Sequence, residues 1–230
     1  MRLGIFGGTF NPVHLGHLLL AETARETLKL DQVLFIPTAR PPHKATPDLL
    51  DGALRVKLLR LAIRTHPAFR VSDLELRRRG VSYTVDTLRL VKQRFPKAAL
   101  FLLIGQDLLA VRWRSWQEIR RLATVVGVRR LGAPVRRSAQ VRWLDMPQIE
   151  IASSDIRRRI KAGRSIRYLV PETVERCIMR HRLYRRGLSR HRAPVKLGAP
   201  FSGAGRMRGR DVAPHRIGWN ACGRLTCGAP

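Results

Sequence analysis

Twelve consecutive residues near the amino terminus could do phosphate chemistry: Gly7-Gly8-Thr9-Phe10-Asn11-Pro12-Val13-His14-Leu15-Gly16-His17-Leu18. Glycines let a backbone come close to phosphate oxygens. Two imidazoles three residues apart sit one helical turn from each other, so both can face one phosphate cluster. A helix starting at Leu15 would aim its free N–H groups and the positive end of its dipole at the same spot. The combination suits a nucleoside triphosphate, with Gly7, Gly8, Thr9 and Phe10 as the turn beneath it and His14 and His17 as its polarising partners. A single histidine here would read as an ordinary surface or core residue; the whole string carries the signal.

Other stretches offer chemistry of the same kind. In Pro37-Thr38-Ala39-Arg40-Pro41-Pro42-His43-Lys44 the prolines stiffen a loop, and His43 and Lys44 offer positive charge to a phosphate. As a charge pair alone it would be a solvated loop. Gly105-Gln106-Asp107 puts a carboxylate at a strand end, where it can hydrogen-bond ribose hydroxyls or help hold a metal. Trp113 and Trp116 offer a flat apolar face to a pyridine or purine ring, or else belong to the core. Ser153, Ser154 and Arg157 place two hydroxyls at a helix start and a guanidinium one turn in, a second phosphate cradle beyond what a capping serine requires. Ser82 or Thr84 is positioned to cap the helix that follows.

The elements that must position these groups alternate. Strands are predicted at 3–6, 32–36, 69–72, 98–104, 123–128 and 141–144, and helices at 15–29, 52–65, 84–94, 107–122, 154–162 and 171–182. Apolar spacing at Leu54, Leu58, Leu61 and Ala62 marks the second helix. Residues 77–80 read as a charged turn, and Pro171 as a first-turn proline. The run Ala98–Ile104 is apolar throughout and is expected at the centre of the sheet, buried on both faces. Strands alternating with helices at this spacing predict an α/β fold, a Rossmann-like doubly wound parallel sheet. Its ligands bind at the carboxyl ends of the strands, where the candidate residues fall.

Composition narrows the class. The 230 residues include 45 basic and 16 acidic side chains, a formal charge of +29. Only seven of the basic residues are lysine; the arginines are scattered, and aromatics make up 6%. A single-strand binder interleaves aromatics with its cations, so nonspecific polyanion binding is expected and specific nucleic-acid recognition is not. No apolar run approaches the roughly 18 residues of a membrane span, and the first strand begins too early for a signal peptide. The three cysteines, Cys177, Cys222 and Cys227, have no metal-ligand spacing and fit a reducing cytoplasm. Residues 1–186 read as one catalytic domain. Residues 187–230, rich in Gly, Pro and Arg with eight cations against Asp211 alone, read as a disordered basic tail.

The Gly-Gly-x-Phe-x-Pro-x-His-x-Gly-His string resembles the H-x-G-H nucleotidyltransferases, and bacterial nicotinate-nucleotide adenylyltransferase in particular. Pro-x-x-x-Pro-Pro-His-Lys at 37–44 resembles that family's mononucleotide-phosphate loop, and Gly80-Val81-Ser82-Tyr83-Thr84-Val85-Asp86-Thr87-Leu88 its Gly-x-Ser-Tyr-Thr-x-Asp-Thr-Leu string. Trp113 and Trp116 match a Trp-x-x-Trp pair, although the stretch before them is about two residues short of the family pattern. Ile151–Arg157 resembles Ile-Ser-Ser-Thr-x-Ile-Arg, with Ala152 and Ser154 as departures, and Arg130-Leu131-Gly132 lacks the family's proline. The resemblance covers residues 1 to about 184. It implies an enzyme that transfers the adenylyl group of ATP, with Mg2+, to nicotinate mononucleotide. His14, His17, Ser153, Ser154 and Arg157 would then meet ATP phosphates, and Lys44 with His43 the attacking phosphate. Asp107, beside Gly105, would hold a ribose or the metal, and Thr84, Trp113 and Arg130 would bind the mononucleotide. Nicotinamide mononucleotide or phosphopantetheine as acceptor, and a basic nucleic-acid-binding protein, are the competing readings.

Overall fold

Six strands, β1 (Arg2–Gly8), β2 (Gln32–Pro37), β3 (Phe69–Val71), β4 (Ala99–Gly105), β5 (Thr124–Arg130) and β6 (Arg142–Met146), pair in one sheet of order β3-β2-β1-β4-β5-β6. Every neighbouring pair is parallel. The computed structural model describes residues 1–39, 48–78, 81–105, 113–130, 140–147 and 149–185, with residues 128–130 by backbone only. The expected tail at 187–230 lies outside them. Seven helices are described: α1 (Leu15–Thr27), α2 (Gly52–Ile63), α3 (Leu74–Arg77), α4 (Thr84–Arg94), α5 (Trp116–Leu122), α6 (Ser153–Lys161) and α7 (Glu172–Arg180). No helix among the described residues is long and apolar enough to cross a membrane.

A parallel strand flanked by crossover helices must be apolar on both faces, and β4 meets that demand. Its Phe101 and Leu103 join a core with Phe6, Phe35, Ala21, Leu58, Ile156 and Ile178. Leu100, Leu102 and Ile104 join a second core with Leu3, Ile5, Val85, Leu88 and Ile119. The sheet is therefore doubly wound, with α1, α2, α6 and α7 over one face and α4 and α5 over the other. The chain leaves β1 toward β2 on one side while β4 flanks β1 on the other, so the strand order reverses between β1 and β4. In such sheets the crevice at the carboxyl ends of those two strands is the ligand site.

Local details depart from expectation for physical reasons. The buried stripe of α2 runs through Arg55, Val56, Leu58, Leu59 and Ile63, whereas Leu54, Leu61 and Ala62 are only partly buried. Residues 74–77, expected as loop and charged turn, wind into the single helical turn α3. The helix expected over 107–122 starts only at Trp116 within the described residues, because Ser115 takes a left-handed φ of 55° that no helix continues through. Pro171 is the N-cap of α7 rather than its first helical residue.

Candidate active site

The β1–α1 turn is built by packing as much as by glycine. The Phe10 ring lies so close over Gly8 that a Cβ there would meet it at 3.0 Å, while a Cβ on Gly7 would project into open space. Phe10 adopts a left-handed φ of 48° and is 1% exposed, its ring edge-on to Phe6 at 5.4 Å and to His17 at 5.0 Å. This anchors the turn from below and presents its backbone above. Among the described residues the amides of Thr9, Phe10 and Asn11 donate no hydrogen bond. A turn with several idle N–H groups is an anion cradle.

His14 is the N-cap of α1 and His17 its third residue. Their rings stack with centroids 3.7 Å apart and planes 29° from parallel. The His14 backbone N–H donates to His17 Nδ1 at 3.2 Å. An accepting Nδ1 assigns the proton of a neutral imidazole to Nε2, which is left as a donor. Burial, and then the neighbouring His14, hold the His17 pKa well below the usual histidine range. At neutral pH His17 is thus a neutral donor.

The second cradle is fastened to the first. Ser153 and Ser154 open α6, and the Ser153 hydroxyl donates to the Pro12 carbonyl at 2.8 Å. Arg157 Nη1 donates to the Asn11 carbonyl at 2.8 Å. Its Nε is buried without a hydrogen bond, 4.0 Å from the Asp48 carboxylate. One donor of each residue therefore braces the turn; the exposed Ser154 hydroxyl and the remaining guanidinium donors are what α6 has to offer a ligand.

Sequence reasoning passed over the residues that tie this end together. Buried Asn11 donates to the Asp48 carbonyl at 3.0 Å and accepts from the Leu50 amide at 3.2 Å and from the Tyr184 hydroxyl at 2.8 Å. Burial pushes the Tyr184 phenol well above its usual range. Arg55, 1% exposed, donates Nη1 to the carbonyls of Thr9 (2.9 Å) and Thr38 (2.8 Å) and Nε to Leu50 (3.0 Å). Asp48 also holds Lys161 of α6 at 2.6 Å. The one signal available in the chain was an arginine on the apolar stripe of α2.

Thr84 lies at another place, the start of α4. The N-cap is Tyr83, which forms no side-chain cap; Thr84 is the first helical residue. Ser82 does not cap because its hydroxyl is used elsewhere: it accepts the Ala39 amide at 3.3 Å and bonds the buried carboxyl of Glu75. Glu75 also accepts from Thr87 at 2.7 Å, and burial raises its pKa above the usual carboxylate range. Trp113 packs beside Tyr83 and Trp116 against the second core, 6.0 Å from the Trp116 ring, and the Arg114 guanidinium covers the Tyr83 ring at 4.5 Å. Trp116 Nε1 is taken by Gln140. Ser82 links the two ends, since Ala39 follows the Thr38 whose carbonyl Arg55 shares with Thr9.

Gly105 ends β4, beside β1 in the sheet. Arg130 ends β5, described by backbone only. His43, Lys44 and Asp107 lie outside the described residues. Among the described residues no three His, Cys, Asp or Glu side chains group to hold a metal. The donors facing the turn are imidazoles, hydroxyls, amides and a guanidinium, chemistry that fits an anion.

Comparison with known proteins points the same way. A family model described as cytidylyltransferase-like matches residues 5–159. A relative named probable nicotinate-nucleotide adenylyltransferase, from Thermus thermophilus, is 46% identical over 188 residues, covering 80% of this chain and all of the relative. The nicotinate-nucleotide adenylyltransferase of Bacillus subtilis is 39% identical over 185 residues, covering 80% and 98%. A Plasmodium falciparum nicotinic acid mononucleotide adenylyltransferase solved with NaAD shares the fold, with a TM-score of 0.67 at 15% identity over 80% of this chain and 97% of that one. With its paired histidines at the start of α1 and relatives of this name matched over nearly their whole length, the chain belongs to the nicotinate-nucleotide adenylyltransferase family.

Proposed function

We propose that the protein transfers the adenylyl group of ATP to nicotinate mononucleotide, giving nicotinate adenine dinucleotide and pyrophosphate, a step of NAD biosynthesis. The observation that carries this reading is the His14–His17 stack over a turn of idle amides, closed by Ser153 and Arg157 of α6. The 5′-phosphate of the mononucleotide attacks the α-phosphorus of ATP in line, and the bond to the β-phosphate oxygen breaks. The acceptor is itself the nucleophile, so the protein positions the two phosphates and stabilises the charge that gathers on their oxygens. Gly7, Gly8, Thr9 and Phe10 cradle ATP; His17 donates from Nε2 to a phosphoryl oxygen, with His14 beside it. Ser154 and the remaining Arg157 donors take the β- and γ-phosphates, with Ser153 fixing the helix start.

Lys44 and His43 orient the attacking phosphate, and Gly105 with Asp107 holds a ribose. Thr84, Trp113 and Arg130 take the mononucleotide. Mg2+ arrives as MgATP, neutralising the pyrophosphate that leaves. A cytoplasmic location fits the free, buried Cys177. The test is pyrophosphate release from ATP and Mg2+ with nicotinate mononucleotide, nicotinamide mononucleotide and phosphopantetheine offered in parallel. Turnover on the nicotinate compound above the others is expected. Preference for another acceptor would keep the mechanism and replace the substrate.

A further inference from the structure

Arg55 is out of place for a helix residue. It sits on the apolar stripe of α2 with 1% of its surface exposed, and among the described residues no carboxylate lies within ion-pair distance of it. A buried cation with no carboxylate in ion-pair contact is costly, and burial pulls its pKa down against the opposing pull of Tyr184, Asp51 and Glu75. A methionine would fill the same space without that cost. What the guanidinium does instead is hold three backbone carbonyls, Thr9, Thr38 and Leu50, at 2.8–3.0 Å.

The first of these matters most. The C=O and N–H of a trans peptide point in opposite directions. Drawing the Thr9 carbonyl toward α2 turns the Phe10 N–H away from α2, and that amide is one of those with no partner among the described residues. A charged donor on the carbonyl also polarises the peptide and strengthens its N–H. Left alone, the Thr9 carbonyl lone pairs would be free to turn toward a phosphate and repel it. The Thr38 bond sets the end of β2 at a fixed distance from the same turn, beside the β1–β2 pairing of Gly8 with Pro37.

We propose that Arg55 is a positioning residue for phosphate binding: from α2 it orients and polarises the Thr9–Phe10 peptide of the β1–α1 turn, so that the turn's selectivity for anions depends on a guanidinium no ligand touches. This rests on the adenylyl-transfer reading of the turn. The measurement is binding of three ligands, pyrophosphate, ATP with Mg2+, and uncharged adenosine, to the full chain and to Arg55→Met and Arg55→Lys, with a thermal melt of each.

Arg55→Met is expected to weaken pyrophosphate and ATP about tenfold, the scale of one charge-assisted bond, and to leave adenosine within about twofold. Arg55→Lys, which keeps the charge but not the fork, is expected to recover part of the loss. A merely structural role would lower all three ligands together, and that parallel loss, or unchanged phosphate binding, overturns the proposal. If Arg55→Met does not fold, Arg55→Lys decides by the same split between pyrophosphate and adenosine. Wild-type protein that binds neither pyrophosphate nor ATP would instead remove the reading of the turn, and this proposal with it.

Discussion

The two ends of the proposed site are held in different ways. The proposed phosphate end is cross-braced by buried and part-buried bonds from distant parts of the chain: Arg55 on Thr9, Tyr184 and Leu50 on Asn11, Ser153 on Pro12, Arg157 on Asn11. The ring end has a short buried chain, Ala39–Ser82–Glu75–Thr87, and beyond it surface contacts: Arg114 over Tyr83, and Arg89 on Glu118 and Asp86. Bonds sheltered from water fix geometry because an unmade partner is expensive. Exposed ion pairs fix it weakly. Phosphate handling is common to every reaction of this type, whereas the acceptor differs; on the proposed assignment of residues, rigidity falls where the chemistry is shared and adjustability where substrates would be distinguished.

That contrast can be broken most forcefully at His17. His17→Ala removes the Nε2 donor, together with the ring's contacts to His14 and Phe10, while leaving the bonds made by Arg55, Tyr184, Ser153 and Arg157 in place. We expect kcat to fall by about 10²- to 10³-fold, as for loss of one charge-stabilising donor, with melting temperature changed little. A small loss of kcat with a large loss of stability would make His17 part of the scaffold instead. Next is Tyr184→Phe. It deletes one buried bond to Asn11 and should cost about 1–2 kcal/mol, a melting temperature lower by several degrees. Its effect on KM for ATP should exceed that on the mononucleotide. Trp113→Ala tests the opposite end: KM for nicotinate mononucleotide should rise about tenfold, the scale of stacking on an aromatic, with KM for ATP nearly constant.

The difference between the ends also decides what the sequence could show. The strand, turn and helix around His14 and His17 are local, and α4 runs from Thr84 to Arg94 as its pattern predicts, because neighbours along the chain define them. Ser153 and Arg157 are legible as a hydroxyl at a helix start with a guanidinium one turn in for the same reason. Asn11 meets Tyr184 across 173 residues and Arg55 meets Thr9 across 46, so no window of sequence contains either contact. Arg55 even falls on the apolar periodicity of its helix, where pattern reading looks for leucine. Ser82 shows the reverse failure: its type and position predict a cap, but Ala39 and Glu75 claim the hydroxyl and the N-cap is Tyr83, whose side chain makes no capping bond. Local propensity lost to a tertiary demand there.

Glu75 gives the comparison a pH axis. Burial raises its folded-state pKa above the unfolded value, near 4.5. Between those two values the folded protein keeps a proton the unfolded chain has lost, so the group's contribution is fully present below about 4.5 and is lost as pH rises through the folded value. Glu75→Gln keeps an acceptor for Thr87 and cannot ionise. The melting temperature of wild type should therefore fall relative to that variant as pH climbs from about 4.5, and parallel profiles would show that Glu75 is not desolvated.

The smallest effect is expected at Arg89, and it is the one that sharpens the contrast. Arg89 spans α4 and α5 through a bidentate pair with Glu118 at 2.7 and 2.6 Å, geometry as good as any bond in the phosphate end. Both partners are substantially exposed, however, at 48% and 36% of their side-chain surface. Water competes for both ions and salt screens them, so Arg89→Ala should lower the melting temperature only slightly, and less still at high ionic strength. Tyr184→Phe, with one neutral bond removed, should cost more than the loss of this two-pronged charged one. If thermal melts order the two variants the other way, burial is not what separates the two ends, and the ring end is as firmly built as the cradle.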